Sequence, residues 1–349
     1  MKTRFWTRWL DSSFDNPKSV LPNPNWAWIV AVGVTVAMFD DVALAQQPRI
    51  YSVGLVSLGS TVTEEIKGLR DGLKDAGYVE GKNLLFDLGI AKNYEGLRPI
   101  IQSYVEKQFD IIVSTGASAP LIAKESTQQI PIVFIGGADP IQVGLVKSMA
   151  RPEANITGIA RYRDVEIYGK RLEVFKEAVP SMRRVTVLYN ARGENPTHFT
   201  SLRLIQKIAP TLGLTIVEKP IKVVSDVEKA ISGISRETTD GLFLICATIF
   251  RDLNKNMAET AGQKKVALFG CSPLSVTGFG ALLYYGADNY RLGHRGAWYV
   301  DRILKGTKPQ DLPIEMPSYF EMVVNLKTAK QIGLTIPPNV LARADRVIR

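Results

Sequence analysis

Short apolar runs alternate with amphipathic helical patterns along most of this chain, and that alternation limits the fold more than any other feature. Residues 50–56 (IYSVGLV) are mostly apolar, the pattern of a strand buried on both faces. Ile66, Leu69, Leu73 and Ala76 then recur at helical spacing, and Gly77 marks a stop. The same reading predicts strands over 84–88, 110–114 and 132–135. It predicts a helix through Leu97, Ile100, Ile101, Tyr104 and Val105, and a helical stretch running up to Ala150. The pattern restarts with a helix over 166–178. Strands are then predicted over 184–189, 214–217, 241–245, 266–269, 281–285 and 319–325. Helices are predicted over 196–212, 289–304, 326–332 and 339–347, with helical stretches between the other strands. Such alternation builds parallel sheets covered on both faces by helices. Two runs joined near Gly158 predict two doubly wound α/β lobes, and a chain of 349 residues is longer than one core usually holds.

The first 45 residues stand outside this pattern. Residues 26–39 (WAWIVAVGVTVAMF) form an uncharged run of 14, shorter than the roughly 20 apolar residues of a membrane-spanning helix. Lys2, Arg4 and Arg8 precede it and Ala43-Leu44-Ala45 follows it. Positive start, short apolar run and small-x-small site predict a secretory signal peptide over 1–45, cut after Ala45. The long leading segment and Asp40-Asp41 before the cut are atypical, which leaves an uncleaved N-terminal anchor as the alternative. The first cysteine is Cys246, so a lipid anchor on a cysteine near the cut is excluded.

The chain carries 43 Lys and Arg against 34 Asp and Glu, a net charge of +9. Charges in residues 1–45 balance, so the whole excess belongs to the folded part. In an exported chain this favours a surface property over nucleic-acid binding. Two histidines and two cysteines leave no zinc-type cluster and no disulfide framework. No phosphate-binding glycine loop and no nucleophile elbow is present. His294, among Arg291, Arg295 and Trp298, reads as a surface or packing residue, whereas His198 at a helix start is free to face a cleft. Cys246 and Cys271 each end a predicted strand and read as buried free thiols, although export would permit a disulfide. Neither a metal site nor a cofactor site emerges.

Small polar loops follow several strands: Ser57-Leu58-Gly59-Ser60, Thr115-Gly116-Ala117-Ser118, and Gly136-Gly137-Ala138-Asp139-Pro140. In open α/β sheets ligands bind outside the carboxyl ends of the strands, where helix N-termini suit a carboxylate or phosphate. Ser57, Ser60, Thr115 and Ser118 are placed to hydrogen-bond such a group, or simply to cap helices. Asp288, after the run Tyr285-Gly286-Ala287, either holds a ligand ammonium group, caps the next helix, or does both. Tyr189, Phe250, Tyr284 and Tyr285 are near these loops, and each reads as core before ligand stacker.

At this level of detail the chain resembles the exported substrate-binding proteins of ABC importers, in the family that includes tryptophan- and tyrosine-type binding proteins. The matching runs are GLKDAGYVEGKNL (72–84), IPIVFIGGADPIQVGLVKSMARPEANITG (130–158) and GKRLEVFKEAVPSMRRVTVLYN (169–190). Towards the C-terminus they are YYGAD (284–288), YVDRILKGTKPQDLPIEMPSYFEMVVNLKTAKQIGLTIP (299–337) and LARADRVI (341–348). The resemblance implies a periplasmic binding protein of type I: two Rossmann-like lobes joined by three crossing strands, closing on a ligand by hinge motion. The crossings are expected over 158–162, 283–286 and 316–319. Lobe 1 is then 46–160 plus 285–317, and lobe 2 is 161–284 plus 318–349.

The resemblance also implies first-lobe ligand contacts at Ser57, Ser60, Thr115, Gly116, Ala117, Ser118, Gly137 and Asp139. Asp288 matches the acidic residue of a Tyr-Gly-Pro-Asp run, with Ala287 in place of the usual proline. On the second lobe, Asn190 and Thr248 lie in loops that depart from the family pattern. Residues 190–196 (NARGENP), 246–249 (CATI) and 270–275 replace the usual runs, so an aromatic amino acid does not follow automatically. Arg192 is either a partner for an acidic ligand group or an exposed side chain.

The leading expectation is a monomeric, non-enzymatic periplasmic receptor. It passes an amino acid or related small molecule to an ABC permease with its cytoplasmic ATPase. A periplasmic sensing subunit for a histidine kinase or chemoreceptor is the alternative. An exported α/β enzyme would need a nucleophile and base that the sequence does not show. A sugar-responsive transcription regulator would need an N-terminal helix-turn-helix, and the predicted signal peptide occupies that place.

Overall fold

A computed structural model describes residues 49–59, 63–116, 118–137, 139–152, 154–161, 166–192, 197–250 and 253–349. Residues Ile50–Arg349 form one unit, separate from Met1–Arg49. The predicted signal peptide lies outside the described residues. The strands are β1 (Tyr51–Leu58), β2 (Leu84–Ala91), β3 (Ile111–Thr115), β4 (Ile132–Ile135), β5 (Ile156–Ile159) and β6 (Arg184–Asn190). The chain continues with β7 (Thr215–Ile221), β8 (Gly241–Leu244), β9 (Ala267–Phe269), β10 (Leu283–Ala287), β11 (Phe320–Asn325) and β12 (Arg346–Ile348). Helices run over α1 (Glu64–Asp75), α2 (Leu97–Glu106), α3 (Ala119–Ser126), α4 (Glu166–Ala178), α5 (Thr197–Ile208) and α6 (Val224–Ser232). They continue with α7 (Asn254–Gln263), α8 (Pro273–Thr277), α9 (Asn289–Leu304), α10 (Leu326–Gln331) and α11 (Pro338–Leu341).

Two sheets result. The first has the order β2-β1-β3-β4-β5 and is parallel throughout. Its centre is apolar on both faces: Val53, Leu55, Ile111, Ile112, Val113, Ile132 and Val133 are all fully buried. The second has the order β12-β11-β10-β9-β8-β6-β7. Here β10 and β11 are antiparallel, and the other neighbouring strands are parallel as expected. The reason is topological. β11 is reached from the first sheet's side, so it enters at the edge where β10 leaves and must run the other way.

Helix α1 starts at Thr63, whose side chain accepts the amide of Ile66, with Glu64 and Glu65 in the dipole-favoured first turn. It packs against α9, although α9 follows a strand of the second sheet. Tyr290 donates to Asp71 at 2.9 Å across this pair. The backbones approach so closely that a methyl group on Gly68 would overlap the Tyr290 carbonyl, and one on Gly293 the Glu65 carbonyl.

Two predicted helices are not formed as expected. Residues 139–150 make turns instead. Asp139 Oδ1 accepts the amides of Ile141 (2.8 Å) and Gln142 (3.2 Å), one turn closes at Val143, and Gly144 adopts φ 72° and ends it. Leu145 and Val146 then enter the core. Residues 339–347 hold only the end of α11. Asp345 exchanges hydrogen bonds with Met322, accepting its amide at 2.7 Å and donating its own at 2.9 Å, which draws the chain into β12 beside β11.

Candidate functional site

Parallel topology fixes where a ligand cleft must lie. The chain leaves the first sheet at the carboxyl end of β5, and leaves the second at the carboxyl end of β10 to form α9. The carboxyl edges of both sheets therefore border the passages between them, the position ligands take in open α/β folds. A third passage, 316–319, runs from Glu315 to β11.

On the first-sheet edge, Ser57 and Thr115 end neighbouring strands and meet directly. Thr115 donates to Ser57 Oγ at 2.8 Å, and both are nearly buried. Ser118 precedes α3 without capping it; its hydroxyl donates to Tyr94 at 2.5 Å. Gly116 and Gly137 have φ of 81° and 89°, turns that bring the backbone to the edge. Asp139 is occupied as the turn cap described above. Ser60 and Ala117 lie outside the described residues.

On the second-sheet edge, Asn190 ends β6 and its Oδ1 accepts the amide of Arg192 at 3.0 Å, a local turn bond. Arg192 itself is exposed. Thr248 begins a short 3-10 turn, Thr248–Phe250, and its side chain lies outside the described set. Tyr189, Phe250 and Tyr284 are buried core residues, and Tyr285 is half-buried, stacked on Phe320 with centroids 5.8 Å apart. His198 is buried, and His294 pairs with Asp75 on α1 at 3.0 Å.

The free-thiol reading of the cysteines is overturned. Cys246 and Cys271 form a disulfide, with Cα atoms 5.6 Å apart. Both lie two residues past the ends of adjacent strands, β8 and β9, so the sheet itself brings them together.

Asp288 caps α9. Its Oδ1 accepts the Arg291 amide at 3.0 Å, and Oδ2 lies 3.4 Å from the Arg291 guanidinium. It lines a cavity of about 530 Å³ with Ile159, Glu315, Ser318 and Tyr319. Ser57, Thr115, Ser118 and Asn190 do not line that cavity.

The passages are clamped on the first-sheet side. Ile159 and Glu315 form a parallel bridge, with Ala160 N–H to Glu315 O at 3.0 Å and Glu315 N–H to Gly158 O at 3.1 Å. Arg295 grips the Glu315 carboxylate in a fork at 2.9 and 2.6 Å, which holds that carboxyl below its ordinary value. Arg161 pairs with the buried Glu65 of α1 at 2.6 Å. Six residues on from Glu315, Glu321 behaves oppositely. Burial, with the nearby Asp288 carboxylate, pushes it up to about 7.

Sequence reasoning missed Tyr94, Arg161, Glu321 and above all Arg171. A signal for Arg171 existed: it occupies a core-facing position of α4 between Tyr168, Leu172 and Phe175. Among the described residues, no group of three or more His, Cys, Asp or Glu is placed to hold a metal, and no helix is long and apolar enough to cross a membrane.

Two lobed sheets with their carboxyl edges on shared passages define a periplasmic-binding-protein architecture of type I. The chain belongs to the ABC transporter substrate binding protein family, whose model it matches over residues 54–348. It is a binding protein, not an enzyme. It is 26% identical over 269 residues to the tyrosine-binding protein of Clostridioides difficile, covering 77% of this chain and 76% of that one. Among solved structures it is similar to a conserved domain protein from Vibrio cholerae, with TM-score 0.76 and 29% identity over 86% of this chain and all of that one. It also shares its fold with an ABC domain from Streptococcus pneumoniae in complex with L-Trp, at TM-score 0.75 and 22% identity, again over 86% of this chain and all of that one.

Proposed function

We propose that this protein is an extracytoplasmic solute receptor that binds an amino acid or related small molecule between its two sheets and delivers it to an ABC permease. The observation that carries this reading is the pairing of Ser57 and Thr115 at 2.8 Å, on adjacent strands that both end at the carboxyl edge of the first sheet. Two nearly buried hydroxyls there suit a ligand carboxylate, which accepts hydrogen bonds strongly. Ser118, Gly116 and Gly137 complete that edge. Asp288, on a helix start, supplies a negative charge for an ammonium group once Arg291 swings aside. The loops of Asn190 and Thr248 face the ligand side chain. The tyrosine- and tryptophan-linked relatives favour an aromatic amino acid. Ligand contact with both edges favours closure of the hinge.

Export through the N-terminal segment places the receptor in the periplasm as a monomer. Periplasmic material is expected to begin near Gln46, and material that still starts at Met1 would contradict export with cleavage. The ligand class is tested by a thermal-shift screen over amino acids, aromatic acids and small amides. A binder at 100 times its Kd adds about 2.7 kcal/mol of stability, a clear rise in Tm. A flat response to every amino acid would reject the class.

A further inference from the structure

Arg171 is about 1% exposed, the largest fully buried side chain of the described residues, and the receptor reading gives it no role. It sits near the middle of α4, the first helix after the chain enters the second sheet's side. Its Nε donates to the Tyr285 carbonyl at 2.8 Å, on the strand from which the chain leaves again. Its Nη1 lies 3.7 Å from Cys246 Sγ, one half of the disulfide. Its guanidinium stands over the rings of Tyr168 and Tyr284, at 5.2 and 5.9 Å. Nη2 approaches Gly286 so closely that a Cβ there would come within 2.8 Å of it. Tyr285 in turn stacks on Phe320, the first residue of β11 after the third passage.

We infer that Arg171 and the Cys246–Cys271 disulfide are positioning elements for ligand binding: together they lock the second-lobe wall of the cleft to the hinge. The disulfide joins the loop after β8 to the loop after β9, both on the carboxyl edge. Arg171 joins the first of these loops to β10, and through the Tyr285–Phe320 stack to β11. Every passage on this side thereby ends on one rigid unit. A guanidinium does this where an ammonium would not, because its planar fork reaches several acceptors in fixed directions. A wall held before the ligand arrives needs no ordering when the ligand binds, which raises affinity.

This inference rests on the amino-acid receptor reading, so the test separates the two. Amide hydrogen exchange is measured on the ligand-free protein and on C246S/C271S. Exchange at Ile245, Phe250, Gly270 and Ser275, whose amides hold these loops, is expected to speed up by about tenfold in the variant, with the first sheet unchanged. Calorimetry with L-tyrosine and L-tryptophan then compares wild type with C246S/C271S, Arg171→Met and Arg171→Lys, well below each Tm. An affinity loss of about tenfold is expected for the cysteine variant and for Arg171→Met, with Arg171→Lys failing to restore it. Unchanged exchange at those four amides overturns the proposal, as does unchanged affinity. If wild type binds neither amino acid, the aromatic ligand reading falls and the exchange result alone decides the lock. If Arg171→Met does not fold, the cysteine variant carries the test.

Discussion

The two sides of the hinge are fastened by different physics. On the first-sheet side the passages are held by a backbone bridge and by ion pairs with a share of solvent: Arg295–Glu315 has side chains 41% and 36% exposed. On the second-sheet side they are held by a buried guanidinium, a disulfide and stacked rings. The first clamp is charge-based and sensitive to pH. The second relies on a covalent bond, a buried guanidinium and ring stacking. On the proposed receptor reading, this division would keep one wall of the site rigid while the other passage is held by ion pairs.

The comparison can be broken from the first-sheet side most forcefully. Gly293→Leu forces side-chain atoms into the Glu65 carbonyl and separates α1 from α9. A loss of about 3 kcal/mol or more in denaturant unfolding is expected, and a loss below about 1 kcal/mol would mean the helices part easily. Next comes Asp288→Asn, which keeps the helix cap but removes the charge. Ligand affinity is expected to fall by about 1.5–3 kcal/mol with Tm nearly unchanged. A drop in Tm without a drop in affinity would make Asp288 a cap alone.

The pH arms have opposite signs and sharpen the contrast within one passage. The Glu315 carboxyl is held below its ordinary 4.5, so its contribution is full above that value and is lost as pH falls through the lower folded value. Glu321 is raised to about 7, so stability declines as pH climbs from about 4.5 to about 7 and is flat above. Glu315→Gln is expected to cost about 1 kcal/mol at pH 7 and nothing at strongly acidic pH. Glu321→Gln is expected to remove the decline toward neutral pH and to raise Tm at pH 8. A pH profile for Glu321→Gln that parallels wild type would show that Glu321 is not the titrating group. The smallest effect belongs to an exposed pair away from the hinge, Arg98–Glu125 at 2.8 Å. Its removal is expected to change stability by less than about 0.5 kcal/mol, measured by urea unfolding.

The sequence reveals different parts of this molecule to different degrees. Strands such as β3 and β4 are legible because a strand buried on both faces must be apolar along its length. Helix α9 is legible over its whole span because one apolar stripe and one cap define it. The turn at 139–150 is not, because its apolar spacing imitates a helix and only the left-handed Gly144 and the Asp139 bonds decide otherwise. Nor is β12, whose pairing depends on a contact between Asp345 and Met322 distant in sequence. At the proposed site, Ser57 and Thr115 are legible as edge hydroxyls, though not as a mutual pair. The disulfide was hidden because strand order, which places β8 beside β9, is not written in either cysteine's neighbours. Arg171 was hidden because a charge on an apolar helix face is informative only once its partners on β10 and the disulfide loop are known.

The central claim is that the carboxyl edges of the two sheets form one amino-acid site. Isothermal titration of residues 46–349 with L-tyrosine and L-tryptophan, on wild type and on Thr115→Val, tests it most directly. The account predicts saturable one-to-one binding of at least one of them, weakened by about tenfold in Thr115→Val, where the hydroxyl pair is lost. Binding that is unaltered by Thr115→Val, or no binding of either amino acid, would contradict it.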